Sequence, residues 1–154
     1  MPRRVIRPEQ FGAALTDVLE RRRAQAEVAA LDAAHRAVRY AVELTDTEEI
    51  VDQGTYRRGF QARKIAGGAE YGNDAPHAGV VEHGRRPGAP GPSAKHLEGW
   101  VRRKLTVKPS EARRVAFLVA RAIHERGLPP KAIMRRTWAR VPDFFREALR
   151  KRLK

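Results

Sequence analysis

At 154 residues, with 42% hydrophobic and 32% charged side chains, the chain has the size of one domain and too much apolar content for a disordered one. It contains no Cys, which excludes disulfides, thiolate metal sites and a thiol nucleophile, and it has no apolar run near the ~18 residues that cross a membrane. A formal net charge of +14 makes an anionic partner attractive, whether nucleic acid, an acidic protein surface or an anionic membrane. Met1-Pro2-Arg3-Arg4 precedes no apolar leader, so a soluble chain with no membrane partner is expected.

From residue 8 to about 43 there is one internal Gly and no further Pro, and apolar residues recur at helical spacing. Phe11, Leu15, Val18 and Leu19 open a face that continues through Ala26, Ala30, Ala34, Val38 and Ala41. The spacing predicts a long amphipathic helix whose Ala-rich stripe lets a neighbour approach closely, from this chain or from another subunit. Thr45-Asp46-Thr47-Glu48-Glu49 resembles a helix stop followed by a new cap, with Glu48, Glu49 and Asp52 as an acidic first turn. Tyr56, Phe60 and Ala62 then alternate with Arg57, Gln61 and Arg63, the period of a half-buried strand over 55–65. Ala66-Gly67-Gly68 is a hairpin turn into Ala69-Glu70-Tyr71, giving one antiparallel ribbon.

Gly72-Asn73-Asp74 is expected to turn, and Pro76 opens a short helix over 77–83, with Asp74 near its cap and Gly84 as its stop. After Gly84, Arg85 and Arg86 lead into three prolines in close succession, so an extended, solvent-exposed loop follows. Ser93 caps a helix over 94–105 with Leu97, Trp100, Val101 and Leu105 on one face. Ser110 and Glu111 start the strongest helical pattern, to residue 126, with Val115, Leu118, Val119, Ala122 and Ile123 as its stripe and Gly127 as its stop; this pair of helices is expected to make the core. Pro129-Pro130 begins a segment carrying Ile133, Met134, Trp138 and Val141, and Pro142 opens a last helix with Phe144, Phe145, Leu149 and Leu153 and a cationic end. The expected fold is α+β and one domain: a long N-terminal helix within 1–45, a β-ribbon and Gly/Pro loop over 51–92, and a helical part over 93–154, with the small antiparallel sheet covered by several helices.

No catalytic constellation is encoded. His77, Glu82 and His83 are close in sequence, but not at the one-turn spacing that puts two His on a helix face beside an acid, and His35, His96 and His124 are isolated. The glycine-rich stretches lack the Gly-Lys-Ser/Thr ending of a phosphate loop, and the carboxylates are scattered among Arg as on solvated helix faces. No enzyme, cofactor or metal is expected. Paired cations at Arg57-Arg58, Arg63-Lys64, Arg85-Arg86, Arg102-Arg103-Lys104, Arg113-Arg114 and Arg135-Arg136 can neutralise phosphates, but they are spread along the chain, and the aromatics are too dispersed for a stacking platform. GC-rich codons give the same Arg and Ala excess without a functional cause. Non-specific DNA contact therefore stands as the alternative function.

A resemblance supplies the leading one. Val51-Asp52-Gln53-Gly54-Thr55-Tyr56-Arg57-Arg58-Gly59-Phe60, followed by Ala75-Pro76-His77-Ala78-Gly79-Val80-Val81-Glu82-His83-Gly84, resembles the V-D-T-G-x-L-R-x-S … Y-A-x-x-V-E-x-G-T pattern of a tail-component family of long-tailed bacteriophages. The similarity runs from about residue 51 to 138; Gln53, Gly59 and His77 replace the usual Thr, Ser and Tyr. It implies a neck, head–tail joining or tail-completion subunit of the virion, assembled in the host cytoplasm as a homo-oligomeric ring against other connector or tail proteins. Arg57, Arg58, Glu82, Arg85 and Arg86 are the candidate interface residues, with the first helix and the Gly/Pro loop as the expected subunit contacts.

Overall fold

The computed structural model describes residues 7–48, 50 and 53–153. The fold is α+β, with a long N-terminal helix and one two-stranded antiparallel sheet. Helix α1 runs Pro8–Thr47, 40 residues and so about 60 Å. Its two halves differ. Residues 11–24 are exposed on every face, whereas Ala29, Ala33, Ala37 and Ala41 recur once per turn and are almost fully buried. With only methyl groups on that stripe, the backbone of α7 (Val141–Arg152) and the ribbon can both come close. Helix α7 lies antiparallel to α1: the Tyr40 and Phe144 rings meet edge to face, Arg36 Nη1 bonds Glu147 at 2.8 Å, and Gln25 Nε2 donates to the Arg152 carbonyl at 3.2 Å. The Ala stripe is thus used inside the chain.

Helix α1 continues two residues past the stop expected at Thr45. Thr45 is buried within α1, and its hydroxyl donates to the Ala41 carbonyl at 2.8 Å, so it serves this helix and caps no other. Glu48 opens no new helix: its carboxylate reaches Arg136 at 2.6 Å and Lys131 at 3.0 Å. Glu49, Val51 and Asp52, the rest of the acidic cluster and the start of the resemblance pattern, lie outside the described residues, as do Met1 to Arg4.

The strand expected over 55–65 begins only at Phe60. Gly54 takes φ 75°, and Arg58 N–H bonds its carbonyl at 2.9 Å, so Thr55–Arg58 is a single helical turn, α2. The turn drives Tyr56 into the core, where its ring packs on Phe60 at 5.2 Å. Strand β1 (Phe60–Ile65) pairs with β2 (Gly68–Asn73) from Phe60↔Asn73 to Ile65↔Gly68, and Arg63 faces Glu70 across the ribbon at 3.0 Å. Gly72 and Asn73 finish β2 where a turn is expected. Asn73 then makes that turn itself, its Oδ1 accepting from Ala75 N–H at 2.9 Å while its Nδ2 donates to the Tyr56 carbonyl at 2.8 Å. Asp74 accepts from Gln61 at 2.8 Å and caps nothing; helix α3 is Ala78–His83 with His77 before it.

The larger hydrophobic cluster joins Ala41, Leu44, Tyr56, Phe60, Ala75 and Ile133, the last from α6 (Ile133–Trp138). A smaller one joins Val101 of α4 (Ala94–Lys104) to Ala112 and Ala116 of α5 (Pro109–Arg126). The α4–α5 hairpin therefore has a core of its own, and the main core forms around α1 instead. In α5 the buried face is turned toward Ala112 and Ala116, because α4 approaches over the small side chains; Leu118, expected inside, is 52% exposed. Ser93 makes no capping bond and pairs with His96 Nδ1 at 3.0 Å.

Two glycines join hairpin to body. Gly84 ends α3 and Gly127 ends α5 in nearly the same conformation, φ 70° and ψ −163° against φ 73° and ψ −165°. The residues after them, Arg85 and Leu128, exchange both backbone hydrogen bonds at 2.8 Å. A Cβ on Gly84 would lie 2.4 Å from the Leu128 carbonyl, and one on Gly127 2.2 Å from that of Arg85, so neither position has room for a side chain. The loop expected to hang free after Gly84 is pinned at its start, and again where Gly88 N–H bonds the His124 carbonyl at 2.7 Å.

Candidate functional site

Ala132 precedes α6 in the left-handed region, φ 51°, leaving the first N–H groups of that helix without a local cap. Glu82 supplies one from a distance: its carboxylate accepts from Met134 N–H at 2.7 Å and Arg135 N–H at 3.0 Å. The Lys131 N–H also bonds the Val81 carbonyl at 2.9 Å, so α3 and the start of α6 are stitched together on successive residues. Burial, and secondarily the Glu82 charge, pushes both the Tyr56 and Tyr71 hydroxyls up to about 12. Tyr71 donates to the Met134 carbonyl at 3.3 Å and stacks on Trp138, which is 65% exposed, at 6.2 Å between centroids. Glu82, proposed from the sequence as an interface residue, is thus a cap within the fold.

The other candidates do not converge. Arg57 is exposed and pairs with Asp46 at 3.2 Å, and Arg58 is exposed beside Gly54. Arg85 is half-buried, with its backbone committed to Leu128, while Arg86 is exposed on the loop. Among the described residues no group of three or more His, Asp or Glu is placed to hold a metal, and no helix is long and apolar enough to cross a membrane.

Two exposed surfaces stand out: the sequence left the first open to this chain or to another subunit, and placed Leu105 and Leu118 of the second on core faces. One is the free half of α1, where Phe11, Leu15, Val18 and Leu19 are 47–63% exposed along one stripe. The other is on the hairpin, where Leu105, Phe117 and Leu118 are exposed and a shallow depression is lined by Ala94, Ser110, Arg113, Arg114 and Phe117. The charge around them is unequal. In the body Arg36, Arg57, Arg63, Lys131 and Arg136 each meet a carboxylate. On the hairpin the side chains of Arg102, Lys104, Lys108, Arg113 and Arg114 make no ion pair among the described residues. A wider separation of apolar residues from their expected buried faces was the signal to look for, and helical periodicity alone does not carry it. Compared with known proteins, the chain matches no family model, no curated protein and no solved structure.

Proposed function

We propose that the chain is a structural subunit of a tailed-phage virion, a neck or tail-completion protein that assembles as a ring between head and tail. The observation that carries this reading is that the resemblance pattern coincides with the positions where the fold has least latitude. Gly54 takes the positive φ that starts the α2 turn. Glu82 caps α6 and Gly84 forms half of the two-glycine joint. A short pattern that falls on cap, turn and joint describes a backbone, and so supports a shared fold more than a shared patch of surface. The exposed apolar stripes on α1 and the hairpin add the surfaces a self-assembling subunit needs.

The second reading, sequence-independent nucleic-acid binding, is favoured by the uncompensated cations of the hairpin. Light scattering at low and high salt, with and without short duplex DNA, separates the two. The neck reading expects a closed oligomer of fixed mass without DNA. A monomer at every concentration that binds duplex at low salt and releases it at high salt would overturn it.

A further inference from the structure

The cations of the hairpin gather at its far end. Residues 102–114, which close α4, turn and open α5, carry six cations against Glu111 alone, in a chain of 32 cations and 18 acids. Thr106 takes φ 48° in the short link between the helices, so Lys104 and Lys108 sit on either side of one bend. The 18 residues of α5 put this tip about 27 Å from the pairing of Arg85 with Leu128. Arg102, Lys104, Lys108, Arg113 and Arg114 are all exposed, and none of their side chains meets a carboxylate among the described residues. Between 102 and 114 Leu105 is the one large apolar side chain that is exposed, and there is no aromatic residue.

We infer that this tip holds the phosphate backbone of duplex nucleic acid, with Arg102, Arg113 and Arg114 as bidentate contacts and Lys104 and Lys108 as point charges across the bend. Cations crowded around one bend repel one another, and a polyanion relieves that repulsion while releasing its own condensed counterions. The composition of the tip selects among polyanions. A protein partner is met by an apolar centre depleted of charge, which one Leu does not make. An anionic membrane is entered by a broad apolar face, and residues 102–114 have none. A single strand is held by stacking on a series of aromatic rings; the tip has none, and Phe117, one turn beyond, is alone. A duplex keeps its bases stacked inside and offers phosphates at regular spacing, so cations alone suffice and the contact reads no sequence. The inference rests on the second reading above, gives that contact its place in the fold, and is independent of the ring.

The test is fluorescence anisotropy of the full-length protein with a labelled duplex DNA of mixed sequence, over a series of salt concentrations. If all five side chains reach phosphates, log K should fall against log salt with a slope of about −4.5, from about −0.9 per phosphate. Arg113→Gln with Arg114→Gln should reduce that slope by about 2 and weaken low-salt binding more than about tenfold, and Lys104→Gln with Lys108→Gln should do the same. Arg150→Gln with Lys151→Gln removes two cations from the end of α7 and should change neither quantity. Every one of these sites is exposed, so the far-ultraviolet circular dichroism of each variant should match the parent. A parent that binds no duplex at low salt overturns both the inference and the second reading. Loss of binding in the α7 variant, with both tip variants unchanged, overturns the tip and leaves that reading standing. Tighter capture of anionic phospholipid vesicles or polyglutamate than of duplex assigns the tip to another partner and overturns the inference. So does tighter binding of a single strand that Phe117→Ala weakens.

Discussion

Glu82→Ala removes the acceptor for two backbone N–H groups at once. Met134 is half-buried and Arg135 exposed, so water replaces the second bond more readily than the first. A stranded donor costs about 1–3 kcal/mol when buried and much less when wet, which puts the loss at about 2–4 kcal/mol in total. Glu82→Gln keeps one amide oxygen at the same reach without the charge and should lose about 1 kcal/mol. The two tryptophans lie in different parts of the fold, Trp100 against the hairpin cluster and Trp138 on α6, so a Trp100→Phe background makes fluorescence report the body alone. Urea unfolding in that background should show a lower midpoint at unchanged slope. An Ala variant within about 0.5 kcal/mol of the parent, or a Gln variant as weak as Ala, would refute the cap as the role of Glu82.

Gly84→Ala and Gly127→Ala each force a Cβ against a backbone carbonyl at a positive φ and should destabilise by about 2–4 kcal/mol, whereas Gly67→Ala, at φ 75° in an open turn, should lose about 1 kcal/mol; equal urea midpoints for the three would refute the joint. Glu48 is held below its ordinary value of 4.5, first by Arg136 and then by Lys131, so the stability it contributes is present above that value and lost as pH falls through its lower folded value; Glu48→Gln should flatten unfolding midpoints measured across that acid range. Tyr56 and Tyr71 are raised from 10 to about 12, so their contribution is complete below pH 10 and lost as pH rises toward 12. The Tyr56 hydroxyl is buried without a partner among the described residues, so Tyr56→Phe should leave stability at pH 7 equal or higher by up to about 1 kcal/mol and lessen the alkaline loss; a large destabilisation at pH 7 would reveal a bond that the buried hydroxyl makes.

Helix positions and stops were legible wherever the signal was local. Gly84 and Gly127 mark helix ends because a left-handed residue is needed there, and the Ala66–Gly68 turn sets the ribbon register. What the sequence concealed depended on partners far along the chain. Thr45 is an ordinary stop signal until its hydroxyl finds the carbonyl one turn back, and Tyr56 alternates like a strand residue although Gly54 winds it into a helical turn. Glu82 could not be told from a surface acid, since the N–H groups it serves lie more than fifty residues away. Periodicity gives the apolar face of a helix but not the length over which that face is covered. That is why Phe11 and Ala41 share one predicted stripe and only Ala41 is buried.

The two-glycine joint also makes the hairpin a detour. The chain leaves the body at Arg85 and re-enters at Leu128, two residues paired side by side, and neither hydrophobic cluster borrows a residue from across that point. A segment inserted in this way can lengthen, shorten or exchange its surface residues without repacking the remainder. Mutational change in the hairpin is therefore free to alter what the protein adheres to, while the body around α1 continues to determine whether the protein folds.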